Sequence, residues 1–384
     1  MADSSFDFDT VIDRSGTDSE KWSRYRGRDI IPLWVADMDF RSPPAVIDAL
    51  HERVSHGIFG YTHPPGELID AVIAHLSRDF GWEVAEEWLV WLPGLVCGLN
   101  VLSRAIGDVD DEVLTFTPIY PPFLSAPLLS RRSLVKVPLV LQGSRWMIDL
   151  EALERAITPR TKLLLLCNPH NPVGRAWSRT ELEELAEVAV RHDLVIGSDD
   201  IHAGLILNPE QRHLPIAALS PDTARRTITL LAPSKTYNIP GLGCSFAVIP
   251  DAALRRVFRQ ARAGIVPHVN TLGYTAALAA YRDGEAWRRA LLAYLRGNRD
   301  LVMDAVERIP GLTMTPVEAT YLAWIDARQS GIKQPGRFFE SAGVGLSDGT
   351  DFDGAGFVRL NFGCPRSLLS EALRRMAAAL TGRN

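Results

Sequence analysis

Three polar residues that could serve a reaction on a carbonyl compound stand at or after apolar stretches that are typical of buried strands. Lys235, Asp199 and Asn171 lie at or just beyond the ends of three such stretches. A partly desolvated lysine amine is a nucleophile that forms Schiff bases with carbonyl compounds. Ligands of open α/β sheets bind outside the carboxyl ends of the strands. The three side chains are therefore expected to meet at one site.

Each of these residues also has an ordinary structural explanation when it is taken alone. Lysine is mostly exposed in folded proteins, asparagine between prolines is typical of a turn, and an aspartate at a strand end can cap a helix. Tyr120, which stands among prolines, could cover an apolar edge. Arg359 is less ordinary, because it interrupts an apolar strand and a buried guanidinium needs an anion.

Taken together, the residues match the chemical requirements of pyridoxal phosphate. This cofactor needs an amine for its aldehyde and an acid beside its ring nitrogen. It also needs a donor to its ring oxygen, a stacking ring and a phosphate cradle. Lys235, Asp199, Asn171 and Tyr120 supply the first four. Residues 94–99 begin a predicted helix directly after a strand, where backbone N–H groups and the helix dipole favour phosphate.

The elements that must position these groups follow a strand–helix alternation. This pattern predicts an α/β fold with a parallel or mixed sheet covered by helices. Residues 30–40 are predicted to form a strand, residues 117–122 an irregular proline-rich loop, and Ser178 with Glu181 a capping box at the start of a helix. After Asp251 the pattern changes to long helices and short strands, which predicts a second, α+β unit.

The composition excludes several classes of protein. The chain has 384 residues, 46% hydrophobic and 23% charged, which is ordinary for a folded protein with a large core or two domains. The net charge of −5 argues against nucleic acid as the main ligand. The four cysteines lie far apart, which predicts buried thiols in a reducing compartment and no zinc site. With no signal-peptide pattern near Met1 and no membrane span, the sequence predicts a cytoplasmic protein.

The sequence resembles a fold-type I pyridoxal-phosphate enzyme of the aspartate aminotransferase superfamily. More narrowly, it is similar to the MalY/PatB family of cystathionine β-lyases, or C–S lyases, over nearly its whole length. The segments that carry the resemblance are Pro-Leu-Trp-Val-Ala-Asp-Met-Asp-Phe at 32–40, Phe-Gly-Tyr at 59–61, Leu-Cys-Asn-Pro-His-Asn-Pro-Val-Gly-Arg at 166–175, Ser-Asp-Asp-Ile-His at 198–202 and Ser-Lys-Thr-Tyr-Asn at 234–238.

The resemblance implies a domain organisation and an assembly. An N-terminal segment, residues 1–45, would pack on a smaller α+β C-terminal domain, residues 276–384. The large cofactor-binding domain with the mixed sheet would span residues 46–275. The resemblance also implies a homodimer with shared active sites, in which Tyr61 reaches the phosphate bound by the neighbouring subunit.

The resemblance further implies a role for each residue of the site. Lys235 would anchor the cofactor and act as the catalytic base. The other cofactor-binding residues would be Asp199, Asn171, Tyr120, His202, Val96, Cys97, Tyr61 and Ser234, and the substrate carboxylate would be held by Arg359, Ala36 and Asn171. The chain departs from the family pattern at Asp200, where glutamate is common, and at Pro121, where some relatives have a second tyrosine. Adjacent strand residues point to opposite faces, so either Asp199 or Asp200 could face the ring; we favour Asp199.

The activity implied is α,β-elimination of a sulfur amino acid to a thiol, pyruvate and ammonia. An aminotransferase would use the same residues, and an additional regulatory role through protein binding is a second alternative. Cystathionine, cysteine, cysteine conjugates and a specialised biosynthetic thioether all remain open as substrates.

Overall fold

Strands and helices alternate along the chain in the computed structural model, which describes residues 6–382. The strands are β1 Ile31–Pro32, β2 Leu89–Leu92, β3 Glu112–Thr117, β4 Ser133–Pro138, β5 Val140–Gln142, β6 Arg145–Met147, β7 Thr161–Cys167, β8 Val195–Asp199, β9 Thr227–Leu231, β10 Ser245–Val248, β11 Thr313–Met314, β12 Leu322–Asp326, β13 Val344–Gly345, β14 Ser347–Asp348 and β15 Phe357–Asn361.

The helices lie between and after these strands. They are α1 Glu20–Ser23, α2 Pro44–His56, α3 Gly66–Phe80, α4 Leu95–Ala105, α5 Pro121–Leu129, α6 Leu150–Ala156, α7 Arg179–Arg191, α8 Pro221–Arg225, α9 Ala252–Arg262, α10 Thr271–Asp283, α11 Glu285–Arg308, α12 Pro335–Ser341 and α13 Arg366–Thr381.

Within the described chain, seven strands form one mixed sheet in the order β2-β10-β9-β8-β7-β3-β4. The strand β10 runs antiparallel to both of its neighbours, whereas β9, β8, β7, β3 and β4 pair in parallel. The central strands are buried on both faces, as their nearly continuous apolar sequences require. Because β3, β7, β8 and β9 run in the same direction, their carboxyl ends open at one edge of the sheet.

Helix α4 packs unusually close to this sheet because glycines stand at the contact. A Cβ atom on Gly197 of β8 would lie 2.1 Å from a methyl carbon of Leu102, and one on Gly98 of α4 would lie 3.2 Å from Leu230 of β9. Any larger residue at position 197 would therefore push the helix away. The close approach brings the first turn of α4 to the carboxyl ends of the strands.

A second, antiparallel sheet with the order β11-β12-β15-β14 follows later in the described chain. Helix α11 packs beside it, and α13 packs against α11. The short strand β1 pairs in parallel with β13, which ties the N-terminal segment to this later part of the chain. The α/β fold with a large mixed sheet and a smaller α+β unit is thus confirmed. The domain boundaries at residues 45 and 275 stay predictions.

Of three local structures predicted from short sequence patterns, one is confirmed and two are wrong. The Ser178–Glu181 capping box is present at the start of α7. Residues 30–40 are not one strand, since only Ile31–Pro32 pair and the chain then continues irregularly. Residues 117–122 are not wholly irregular, because Pro121 begins helix α5. Proline is favoured at the first position of a helix, where its missing N–H costs nothing.

No helix between residues 6 and 382 has both the length and the apolar character needed to cross a membrane. The prediction about a signal peptide rests partly on residues 1–5, which lie outside the described residues.

Candidate active site

A cavity of about 1420 Å³ opens at the carboxyl ends of β3, β7, β8 and β9. The neighbouring strands β3 and β7 continue in opposite directions across the sheet, β3 to β4 and β7 to β8. Ligands of such sheets usually bind at this point. All but one of the residues predicted for the site line this cavity: Ala36, Val96, Cys97, Tyr120, Asn171, Asp199, His202, Ser234, Lys235 and Arg359.

Lys235 lies in the turn that follows β9, next to Ser234. The N–H of Ile239 donates to the carbonyl oxygen of Ser234 at 3.0 Å, which closes this turn and fixes the lysine at the cavity wall. The Nζ of Lys235 donates to the carbonyl oxygen of Ala36 at 2.5 Å. Burial lowers the pKa of the Lys235 amine to about 8. The amine is therefore deprotonated far more readily than that of an exposed lysine.

Asp199 and Asp200 face different surroundings. Asp199 lines the cavity, and its Oδ1 accepts a hydrogen bond from the N–H of Ile201 at 3.1 Å. Burial raises the pKa of Asp199 to about 7. Asp200 instead turns to His213, whose Nε2 lies 2.7 Å from its Oδ2. This geometry favours Asp199 as the carboxyl group that meets a ligand.

Arg359 projects from β15 of the second sheet into the same cavity. Its Nη1 donates to Oδ1 of Asn171 at 3.0 Å, and its Nη2 donates to the carbonyl oxygen of Trp34 at 2.9 Å and to Ser347 Oγ at 3.3 Å. The guanidinium stacks on the ring of Phe352 at 4.6 Å. Burial lowers its pKa to about 10, so it stays positively charged at neutral pH.

The Nε of Arg359 is buried, and among the described residues it has no hydrogen-bond partner. The nearby Asp37 and Asp39 carboxylates are engaged by Arg14 and Lys21. A buried guanidinium with a spare donor is suited to a carboxylate of a ligand.

Tyr120 and His202 complete the inner part of the cavity. The backbone N–H of Tyr120 donates to the carbonyl oxygen of Asn171 at 3.1 Å, which joins the loops after β3 and β7. His202 is buried with its ring edge against Tyr321, and its Nδ1 has no hydrogen-bond partner in the described chain. Burial and the charge of Lys235 lower the pKa of His202 to about 3, so the imidazole is neutral.

The first turn of α4 presents backbone N–H groups to the cavity through Val96 and Cys97. The N-cap residue is Gly94, and no side chain caps this helix in the described residues. The first N–H groups of an α-helix have no partner inside the helix, and they attract anions together with the helix dipole. This helix start can therefore hold a phosphate.

Tyr61 is the predicted site residue that does not line the cavity. It lies in an extended loop with Ile58 and Phe59, and the side chains of all three are more than half exposed. Its predicted role at the site of a neighbouring subunit stays a prediction.

The sequence reasoning missed the residues that hold the Ala36 segment. Tyr321 donates its hydroxyl to the carbonyl oxygen of Ala36 at 2.9 Å. The amide of Asn361 donates to the carbonyl oxygens of Val35 and Asp37, at 2.6 Å each. These residues come from β15 and the chain before β12, more than 280 positions away in sequence, and no local pattern could have indicated them.

Comparison with known proteins agrees with this geometry. The family model described as aminotransferase class I and II matches residues 28–376. Cystathionine β-lyase PatB of Bacillus subtilis is 38% identical to this chain, over 97% of this chain and 100% of PatB.

Two solved structures are similar over almost their whole length. The crystal structure of OvoB superposes with a TM-score of 0.96 at 50% identity, covering 98% of this chain and 99% of that one. The structure of the PLP-bound C–S lyase of Staphylococcus hominis gives a TM-score of 0.92 at 33% identity, covering 99% of each. The predicted MalY/PatB resemblance and the aminotransferase-like fold are thereby confirmed. The chain belongs to the aminotransferase class I and II family.

Proposed function

We propose that this protein is a pyridoxal-phosphate-dependent carbon–sulfur β-lyase. It would convert an S-substituted cysteine and water to a thiol, pyruvate and ammonia. The observation that carries the proposal is one cavity that holds a lysine with a lowered pKa, a buried carboxyl group and a buried arginine with a spare donor. The similarity to a cystathionine β-lyase and to a PLP-bound C–S lyase supports elimination as the reaction.

The residues of the cavity fit pyridoxal phosphate. Lys235 would hold its aldehyde carbon, Asp199 its ring nitrogen, and the first turn of α4 its phosphate. Asn171 and His202 would lie near the ring oxygen, with Tyr120 against the ring face. The buried Nδ1 of His202 and Nε of Arg359, both without partners in the described residues, are polar atoms that a ligand could satisfy.

When bound, the cofactor supplies an electron sink that makes the proton on the substrate Cα removable. Lys235 would take this proton, because its amine lies in the cavity and has a pKa of about 8. Asp199 would hold the ring nitrogen of the cofactor in its protonated form. Arg359 and Asn171 hold the substrate carboxylate, which orients the Cα proton toward Lys235.

The sulfur group leaves from Cβ as a thiolate, with the electron pair of the carbon–sulfur bond. Water then releases the remaining three-carbon unit as pyruvate and ammonia, so one water is consumed for each thiol formed. The cavity of about 1420 Å³ has room for a large group on sulfur, and residues of the N-terminal segment, such as Glu20 and Arg24, also line it.

A panel of sulfur amino acids tests the proposal. We expect the purified protein, loaded with pyridoxal phosphate, to release pyruvate and thiol in equal amounts from cystathionine or another S-substituted cysteine. No keto acid should be required. Amino-group transfer that depends on an added keto acid, with no thiol formed, would instead establish the aminotransferase alternative.

A homodimer in the cytoplasm is part of the proposal. The exposed apolar side chains of Ile58, Phe59 and Tyr61 support a contact with a second copy. The four cysteines are unpaired thiols in the described residues, which supports a reducing compartment. Sedimentation should give a mass near twice the 42.4 kDa of the chain, and Tyr61→Ala should weaken cofactor binding. A fully active monomer would contradict the shared-site proposal.

A further inference from the structure

Asp200 is a buried carboxylate that the proposed reaction does not use. Its side chain is fully buried, and both of its oxygens have donors. The hydroxyl of Ser198 donates to Oδ1, and Nε2 of His213 lies 2.7 Å from Oδ2. Asp199 lines the active-site cavity, whereas His213 lines a second cavity of about 790 Å³. Asp200 thus stands between the active site and a separate opening.

The surroundings of His213 indicate which of its nitrogens carries a proton. Its side chain is almost fully buried, with the edge of the Phe80 ring against it at a centroid distance of 5.0 Å. Its Nδ1 is buried and has no partner among the described residues. A buried N–H without an acceptor is costly. The hydrogen-bond geometry therefore places a proton on Nε2, which donates to Oδ2 of Asp200, so that Asp200 accepts a hydrogen bond at each oxygen.

We propose that Asp200 is a positioning residue that acts through Asp199. Its negative charge, held by Ser198 and His213, retains the proton that Asp199 and the ring nitrogen of the cofactor share. The inference rests on the proposed function, since it assumes that Asp199 meets that nitrogen. The His213–Asp200 pair would therefore affect the protonation of the cofactor ring as well as the stability of the fold.

The side chain of Asp200 acts on its neighbours from a fully buried position. Asp199 and Asp200 are neighbours in the chain, and charges that are shielded from water interact more strongly than exposed ones. Burial raises the pKa of Asp199, the charge of Asp200 acts in the same direction, and the charge of Lys235 opposes it. A negative charge at Asp200 also stabilises a protonated ring nitrogen. Both effects keep the shared proton bound to a higher pH.

Other charges near His213 lie on the walls of the second cavity, toward solvent. They are Arg145, Arg179, Arg212, Glu210 and Glu318. Arg145 is paired with Glu318 at 3.2 Å and Arg179 with Glu183 at 3.4 Å. Solvent screens such pairs, whereas Asp200 and Lys235 are the charges that act on Asp199.

Asp200→Asn tests the proposal because it keeps the shape of the side chain and removes its charge. The measurement is nitrogen NMR of the loaded protein with ¹⁵N in the cofactor ring, which reports the pH at which the ring nitrogen loses its proton. We expect this midpoint to fall by about one pH unit in the variant. The apparent Kd for pyridoxal phosphate should rise in parallel. An unchanged midpoint in a folded, loaded Asp200→Asn protein overturns the inference.

His213→Gln and Glu112→Gln complete the design. Glutamine at 213 keeps an N–H donor for Asp200 and cannot be charged, so the midpoint should stay near that of the wild type. A raised midpoint would mean that a positive His213 had cancelled Asp200, and it would refute the proposal. Glu112 is a buried carboxylate at the other end of the same sheet, bonded to Thr158 and Thr161. Glu112→Gln should leave the midpoint unchanged, and an equal fall there would also refute the proposal.

Failure of the proposed function and failure of this inference give different results. A wild-type protein that takes up no labelled cofactor would overturn the proposed function and this inference with it. A loaded wild-type protein, combined with an unshifted Asp200→Asn variant, overturns the inference alone. Replacing Asp199 by alanine gives the reference point, because the ring nitrogen then has no acid partner and its midpoint should fall furthest.

Discussion

Lys235→Ala is expected to abolish carbon–sulfur cleavage, with kcat lowered by at least about 10³-fold. The substitution removes both the covalent anchor of the cofactor and the base that takes the Cα proton. The absorbance band of the lysine-bound cofactor should disappear as well. The measurements are pyruvate release under saturating cofactor and substrate, and an absorbance spectrum of the loaded protein.

The effect is expected to be large because Lys333, the other lysine among the described residues that line the cavity, is exposed. The amine of Lys235 is the one whose pKa burial lowers to about 8 at the cavity wall. The amine of Lys21 is fully buried and donates to the Asp39 carboxylate at 2.7 Å, so it is already engaged. Free water or added amines can restore only a small part of the rate, because neither is positioned at the substrate Cα.

Lys162→Ala is the matched control for this experiment. Lys162 lies near the start of β7, at the opposite end of the sheet, where its side chain is exposed and donates to the carbonyl oxygen of Pro159. This variant should keep the turnover, spectrum and melting temperature of the wild type. Normal β-lyase turnover in Lys235→Ala would show that the cofactor anchor has been assigned to the wrong residue.

Arg359→Ala is expected to raise the KM for the sulfur amino acid about 100-fold, which corresponds to about 2.7 kcal/mol. The guanidinium is buried, remains charged and keeps Nε free of partners within the described residues. It is therefore ready for a charge-assisted hydrogen bond to the substrate carboxylate. We expect a smaller change in kcat, because the carboxylate is held in the ground state as well as in the transition state.

Arg328→Ala provides a control with the same side-chain chemistry. Arg328 stacks on Phe357 at 4.8 Å, much as Arg359 stacks on Phe352, but it is exposed and paired with Asp326. Its loss should leave KM unchanged. Initial rates over a range of substrate concentrations, with melting temperatures for each variant, make the comparison. If KM in Arg359→Ala equals that of the wild type, the carboxylate is bound elsewhere.

The strands beside the site could be predicted because each one is marked by the apolar residues of its own sequence. Strands β7, β8 and β9 are mostly apolar, as is typical of a parallel sheet buried on both faces. Polar residues just beyond such strands must lie at the same edge of the sheet. For this reason the positions of Asn171, Asp199 and Lys235 in the sequence were enough to assign them to one site.

The irregular segment around Ala36 could not be predicted from its own residues. Residues 30–40 are apolar enough for a strand, yet only β1 forms, because the rest of the segment is held by side chains from distant parts of the chain. Asn238 donates to the carbonyl oxygens of Met38 and Phe40, and Asn361 to those of Val35 and Asp37. Such tertiary hydrogen bonds replace the partners that a sheet would have provided.

The sequence alone determined the kinds of chemical group at the site: an amine, a carboxylic acid and an amide at or beyond strand ends, and a guanidinium within a strand. Only the tertiary structure decided their states. The lowered pKa of Lys235 and the raised pKa of Asp199 come from burial that no local pattern encodes. The choice between Asp199 and Asp200 likewise depended on His213, which the fold brings to Asp200 from beyond the strand. Solvation and neighbouring charge are properties of the assembled cavity, and these set what each group can do.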